Sequence, residues 1–238
     1  MNDGSHQTEA TSTKNSLFVP LVVYGLSLAI SALAFTLPAI ILHWSKDYQI
    51  QHLYLLGTLA QLLMDLPAVV IFFRMKPAGT LSFHDRRSIV SGFLGIAAAA
   101  ALAGLRILFL GRLLGGRFMG EVPAFTQSLN LPPPWNILAS IAALLAYGPG
   151  EAIFVVYLIL ALDKALGNHP GVFSRGVWIT AILWALPHLL NIFYFGLGAI
   201  PNALIMFFIG LAMGMLLKGT RSSWGPVLFW TLVNGTSA

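Results

Sequence analysis

Glu151 and His188 sit inside stretches of sequence apolar enough to cross a bilayer, and Asn234 lies in the last such stretch. An ionisable side chain kept in hydrocarbon marks a functional site by default, because its burial is costly and persists where it is paired or used. A carboxylate flanked by Ala152, Ile153 and Phe154 suits a general base that takes a proton from water and returns it to a leaving group. An imidazole held opposite shares that water or stabilises charge, and a carboxamide such as Asn234 donates to a developing oxyanion where bulk solvent is excluded. Together the three suit hydrolysis of an amide bond. Glu151 and His188 each also have a plain structural alternative: a glutamic acid bonded to a neighbouring helix, and a neutral histidine bonded to a backbone carbonyl freed by Pro187.

For these residues to act together, the elements carrying them must bring them to one depth. Hydrophobic residues make up 57% of the 238 positions and charged residues 9%, with a mean hydropathy of +0.81. That balance implies an all-α polytopic transmembrane helical bundle, since in lipid each span must satisfy its own backbone. Residues 1–16 read as a flexible polar tail and 17–238 as a single membrane domain. Apolar runs of roughly 20 residues place spans near 17–43, 52–74, 89–110, 136–162, 176–196, 198–217 and 224–237, about seven in all, within a range of six to eight. The fourth is interrupted by Gly148-Pro149-Gly150, a sequence that suits two half-helices, and the seventh is short. The segment 111–134, with Gly115-Gly116 and Pro132-Pro133-Pro134, reads as a surface loop or lid.

Charge sets the orientation. With the 75–88 loop in the cytoplasm, Lys14, Arg74, Lys76, Arg86, Arg87, Lys164, Arg175, Lys218 and Arg221 fall inside, against Lys46, Arg112 and Arg117 outside. The N-terminus is therefore expected in the cytoplasm, and Arg106 snorkels near the outer end of its span. The net charge of +5 is explained by these span ends, which excludes a nucleic-acid partner. The absence of cysteine excludes disulfides, thiol catalysis and thiolate metal sites. At about 1.5 Å per residue, Glu151, His188 and Asn234 lie ~16, ~18 and ~15 Å from the cytoplasmic ends of their spans.

Asp65, followed by Pro67 in span two, reaches ~14 Å. It either joins the same polar cluster or satisfies backbone groups released by Pro67, the second being the simpler expectation. Asn191, three residues after His188, is placed to orient the imidazole. One Glu, one His and one Asn make a poor zinc set, because catalytic zinc takes three protein ligands from His, Glu, Asp or Cys. No cofactor is therefore required; were a divalent metal bound, Glu151 and His188 would be its ligands.

Three blocks resemble the CPBP family of intramembrane proteases, which includes the type II CAAX prenyl endopeptidases and relatives linked to bacteriocin immunity. YGPGEAIFVVYL (147–158) resembles the family's motif of two adjacent glutamates followed by an arginine. ILWALPHLLN (182–191) is similar to its Phe-x-x-x-His helix, with Trp184 in place of Phe and His188 in register. GLAMGMLLKGTRSSWGPVLFWTLVNG (210–235) resembles the closing block that ends in His-x-x-x-Asn. The protease-like helices would then occupy 136–238. Glu151 stands without its second glutamate, Val155 or Val156 takes the arginine's place, and Trp230 replaces the closing histidine.

The resemblance implies Glu151 and His188 as the residues that activate water and Asn234 as an oxyanion donor, although the family's sites have also been described as metal-dependent. Losing one oxyanion donor costs ~10²–10³ in rate, so Trp230 implies a slow or inactive relative. Its indole N–H, one turn from Asn234, is a substitute donor, while packing is the default for a tryptophan in an apolar helix. The expected function is hydrolysis of a peptide bond in a membrane-anchored or lipidated substrate, with membrane lipid as the other partner. Two alternatives stand beside it. One is a catalytically degenerate scaffold of the same fold. The other is a proton-coupled carrier using Asp65, Glu151 and an unwound Gly-Pro-Gly region.

Overall fold

The computed structural model describes residues 17–33, 50–75, 85–110, 121–167, 171–190 and 192–235. Helices account for the regular structure there: α1 (Leu17–Leu33), α2 (Ile50–Met75), α3 (Arg86–Leu110), α4 (Glu121–Ser128), α5 (Trp135–Leu145), α6 (Glu151–Ala165), α7 (Arg175–Leu190), α8 (Ile192–Phe195), α9 (Ala199–Thr220) and α10 (Trp224–Gly235). Among the described residues, four continuous rods are long and apolar enough to cross a membrane: Tyr54–Met75, Arg86–Phe109, Trp135–Ala165 and Gly196–Thr220. With the shorter apolar helices α1 and α7 beside them, the chain is an integral, multi-pass membrane protein.

The rod Trp135–Ala165, the fourth expected span, departs from the half-helix expectation. A π-helical turn, Ala146–Gly150, joins α5 to α6 without unwinding. Pro149 has no N–H to give, and the wider turn absorbs it: the Glu151 N–H reaches back five residues to the Ala146 carbonyl. Two other boundaries are corrected. α7 stops at Leu190, and α8 with a 3₁₀ turn, Gly196–Gly198, leads into α9, so the expected span 176–196 is shorter than drawn. The 121–128 part of the expected lid is a helix packed on α2 and α5, with Ala124 and Ser128 fully buried. The remainder of span one, 34–43, lies outside the described residues.

Within the bundle α6 is central. In the rod that contains it 61% of the membrane-crossing window is buried, against 22–44% for the other three, and Val155 and Val156 are wholly enclosed. Valine at these positions fills a dry core, where an arginine would need a partner to be tolerated. Small residues let the neighbours close in. Gly210 and Gly214 of α9 lie against Ala181 and Val177 of α7, so tightly that a Cβ on Gly214 would stand 2.5 Å from Val177 Cγ1. Gly95 of α3 and Gly225 of α10 meet in the same way, backbone to backbone.

One end of the bundle is locked by polar contacts. Asp163 of α6 accepts hydrogen bonds from Ser174 Oγ at 2.7 Å, Gly176 N–H at 2.8 Å and Lys218 Nζ at 2.7 Å. These tie α6 to the first turn of α7 and the last turn of α9. Beside them, Ser91 Oγ accepts from the Gly225 N–H and from Thr220 Oγ1, each at 2.8 Å, pinning α3 to the α9–α10 corner. Both locks sit where apolar helices end, so the charged and hydroxyl groups reach partners without entering hydrocarbon.

Candidate active site

Glu151 opens α6 directly after the π-helical turn, so the local break in hydrogen bonding and the carboxylate occupy the same place in the bundle. Because the Glu151 N–H reaches Ala146, the Tyr147 carbonyl needs another donor, and the Asn234 carboxamide supplies it. The same Asn234 nitrogen stands 3.3 Å from Glu151 Oε2. Trp230, one turn earlier on α10, donates its indole N–H to that oxygen at 2.6 Å. Trp230 and Asn234 are 2% and 3% exposed and Glu151 is half-buried, so both donors sit in the core, where a hydrogen bond is worth more than at a surface.

A second acid comes from α2. Asp65 is 4% exposed, accepts from Gln61 Nε2 at 3.0 Å, and interacts electrostatically with Glu151. It fits because residue 150 is glycine: a Cβ there would lie 3.1 Å from Asp65 Oδ2 and 2.8 Å from the Leu145 carbonyl. Asp65 is thus partnered by a side chain one turn away, whereas the sequence suggested the backbone near Pro67. Tyr147 stands within the field of both acids.

Aromatic rings extend the site toward His188. Trp184 meets Trp230 edge-on at 5.7 Å, His188 at 6.4 Å and Phe154 at 6.4 Å. His188 is half-buried, and its Nδ1 stands 3.3 Å from Asn202 Nδ2 on α9. The structure therefore joins Glu151, Trp230 and Asn234 by direct hydrogen bonds and links His188 to them through the two indoles. The Trp184 indole N–H is itself buried with no hydrogen-bond partner among the described residues. Asn191, the expected orienter of His188, lies outside the described residues.

Gln61, Tyr147 and Asn202 were not singled out from sequence. Gln61 and Asn202 carried a usable signal, each being a carboxamide in an apolar run. Tyr147 acts through its backbone carbonyl, which no side-chain pattern reveals.

Residues 132–236 match the family model described as type II CAAX prenyl endopeptidase Rce1-like. This stretch is therefore similar to that family. No curated protein and no solved structure matches the chain. The matching stretch runs from the turn before α5 through α10, so it contains Glu151, Trp184, His188, Trp230 and Asn234, while Asp65 and Gln61 reach the site from α2.

As to a metal, the described residues bring no group of three His, Asp or Glu side chains together. A resident zinc usually takes three such ligands. The arrangement offers a half-buried carboxylate gripped by fixed donors, a second acid beside it, and the Trp184 indole N–H, which has no hydrogen-bond partner among the described residues.

Proposed function

We propose that the protein hydrolyses a peptide bond of a membrane-anchored or lipidated substrate, with Glu151 as general base. The observation that carries this reading is the Glu151 carboxylate held inside the Rce1-like stretch by Trp230 and Asn234. Such fixed donors orient the carboxylate before any substrate arrives, which is the condition for efficient proton transfer. Glu151 takes a proton from water as the hydroxide oxygen bonds to the scissile carbonyl carbon. The C–N bond then breaks, and the same proton passes to the leaving amine. His188 serves as the partner on the far side of Trp184. The free indole N–H of Trp184 is the candidate donor to the oxyanion, since the Asn234 carboxamide is engaged with Tyr147 and Glu151. Asp65 supplies the second carboxyl group. Substrate enters from the bilayer side, and the excess of basic residues puts the N-terminus in the cytoplasm.

A second reading rests on the same contact. With Trp230 closing on Oε2 at 2.6 Å, Glu151 becomes a clamp between α6 and α10, and the domain is a non-catalytic scaffold. Proteoliposomes containing the full chain are incubated with a farnesylated peptide in water enriched in oxygen-18, and the products are read by mass spectrometry. Hydrolysis predicts one heavy oxygen in the new carboxylate, lost in Glu151→Gln. Intact peptide with wild type, but peptide retained on the protein, selects the scaffold.

A further inference from the structure

A second feature of the molecule lies away from Glu151. At the end of the bundle where α3 begins and α9 ends, a cavity of about 700 Å³ is lined by Arg86, Arg87 and Arg221, with Asp85 at its rim and Val90 and Leu94 along one wall. Arg86 and Arg87 are neighbours at the start of α3, Arg221 comes from the α9–α10 corner more than 130 residues later, and each residue is exposed. None of their side chains is in an ion pair or a hydrogen bond among the described residues. Asp85 instead accepts the Arg87 backbone N–H at 3.1 Å, as a cap on α3. One carboxylate against three guanidiniums leaves the lining with two net positive charges.

The corner that presents them is rigid. Arg221 takes a left-handed conformation (φ 56°) and is followed by Ser222, whose Oγ donates to Ser88 Oγ at 3.2 Å. With the Ser91, Thr220 and Gly225 contacts, this fixes the backbone of Arg221 across from the first turn of α3. Below the arginines the wall turns apolar: Val90 and Leu94 are 44% and 46% exposed, one turn apart on the helix. A cluster of exposed guanidiniums above an apolar face, at the end of a membrane-crossing helix, matches an anionic phosphate group with hydrocarbon attached.

From this geometry we propose that the Arg86–Arg87–Arg221 cavity binds the phosphate headgroup of an anionic phospholipid, its acyl chain lying along Val90 and Leu94. Such a lipid bridges α3 to the α9–α10 corner and so fastens the front of the molecule to the Rce1-like stretch. The site is independent of any chemistry at Glu151.

The test titrates the purified full chain with short-chain phosphatidylglycerol, phosphatidylcholine, glycerol 3-phosphate or inorganic phosphate and counts bound molecules by native mass spectrometry. Phosphatidylglycerol is expected to bind at least tenfold more tightly than phosphatidylcholine. The triple variant Arg86→Gln, Arg87→Gln, Arg221→Gln should lose that preference, while Lys164→Gln, Arg175→Gln, which removes two exposed charges elsewhere, should keep it. Should the triple variant fold poorly, Arg87→Gln alone is expected to weaken phosphatidylglycerol about fivefold. Equal binding of the two lipids, or equal loss in the Lys164 and Arg175 control, overturns the proposal. Displacement of the lipid by glycerol 3-phosphate or phosphate at matching concentration also overturns it, because the site would then serve soluble phosphate.

Discussion

Two acids on one helix are treated in opposite ways. Asp163, near the end of α6, is closed off by Lys218, Ser174 and the Gly176 N–H, with 3% of its side chain exposed. Glu151, twelve residues earlier and ~18 Å away along the axis, accepts from the neutral donors Trp230 and Asn234 and faces a second acid, Asp65. A cation with full hydrogen bonding turns the first carboxylate into a fastener. Neutral donors that hold the second without cancelling its charge leave it available for proton transfer. The difference separates an anchor from a proposed reaction centre, and exposure follows it, Asp163 being buried and Glu151 half-buried.

The contrast is broken most forcefully at Glu151. Glu151→Gln keeps an oxygen for Trp230 and Asn234 but removes the base, so cleavage should fall ~10²–10⁴-fold with little change in thermal midpoint. Next, Asp163→Asn should act the other way. Separating this pair leaves Lys218 without its counter-charge at a cost of ~3–5 kcal/mol, read as a lower midpoint in detergent, with the remaining folded protein as active as wild type. Adding Lys218→Met should recover part of that loss, since an absent pair is cheaper than half of one.

Trp230→Phe sharpens the comparison further. It keeps a ring against Trp184 and deletes the donor to Glu151, a charge-assisted bond worth ~1.5–3 kcal/mol, so turnover should drop ~10–100-fold with KM nearly unchanged. The smallest effect is expected from Asn202→Ala. A neutral bond to His188 of ~0.5–1.5 kcal/mol should change cleavage less than about tenfold, and a larger loss would move His188 closer to the chemistry than the aromatic chain implies.

Much of this was legible in the sequence, for physical reasons. Apolar runs identify α2, α3, the α5–α6 rod and α9, because a bilayer leaves the backbone no other solution. Glu151 and Asn234 stand out as polar groups in hydrocarbon, and their antiparallel spans bring them to one depth. The π-helical turn was not legible: Gly148-Pro149-Gly150 is equally compatible with a broken helix, and the choice is made by the packing of α2 and α10 around it. Trp230 was understood in part. Its indole is buried as packing requires, yet its N–H also grips Glu151, and only the facing helix decides that. Asp163 was not singled out from the sequence, because Lys218, 55 residues away, meets it only in the folded bundle. The arginine cavity was hidden for the same reason, its residues having been read only as markers of orientation.

The central claim is that Glu151 is the base of a hydrolytic site. The most direct measurement compares the initial rate of farnesylated-peptide cleavage by wild type and Glu151→Gln in proteoliposomes, with the thermal midpoint of each taken on the same preparation. The account predicts that the variant loses at least 99% of the rate, a ~10²-fold fall at the low end for a general base, at an unchanged midpoint. Cleavage by Glu151→Gln at the wild-type rate would contradict it.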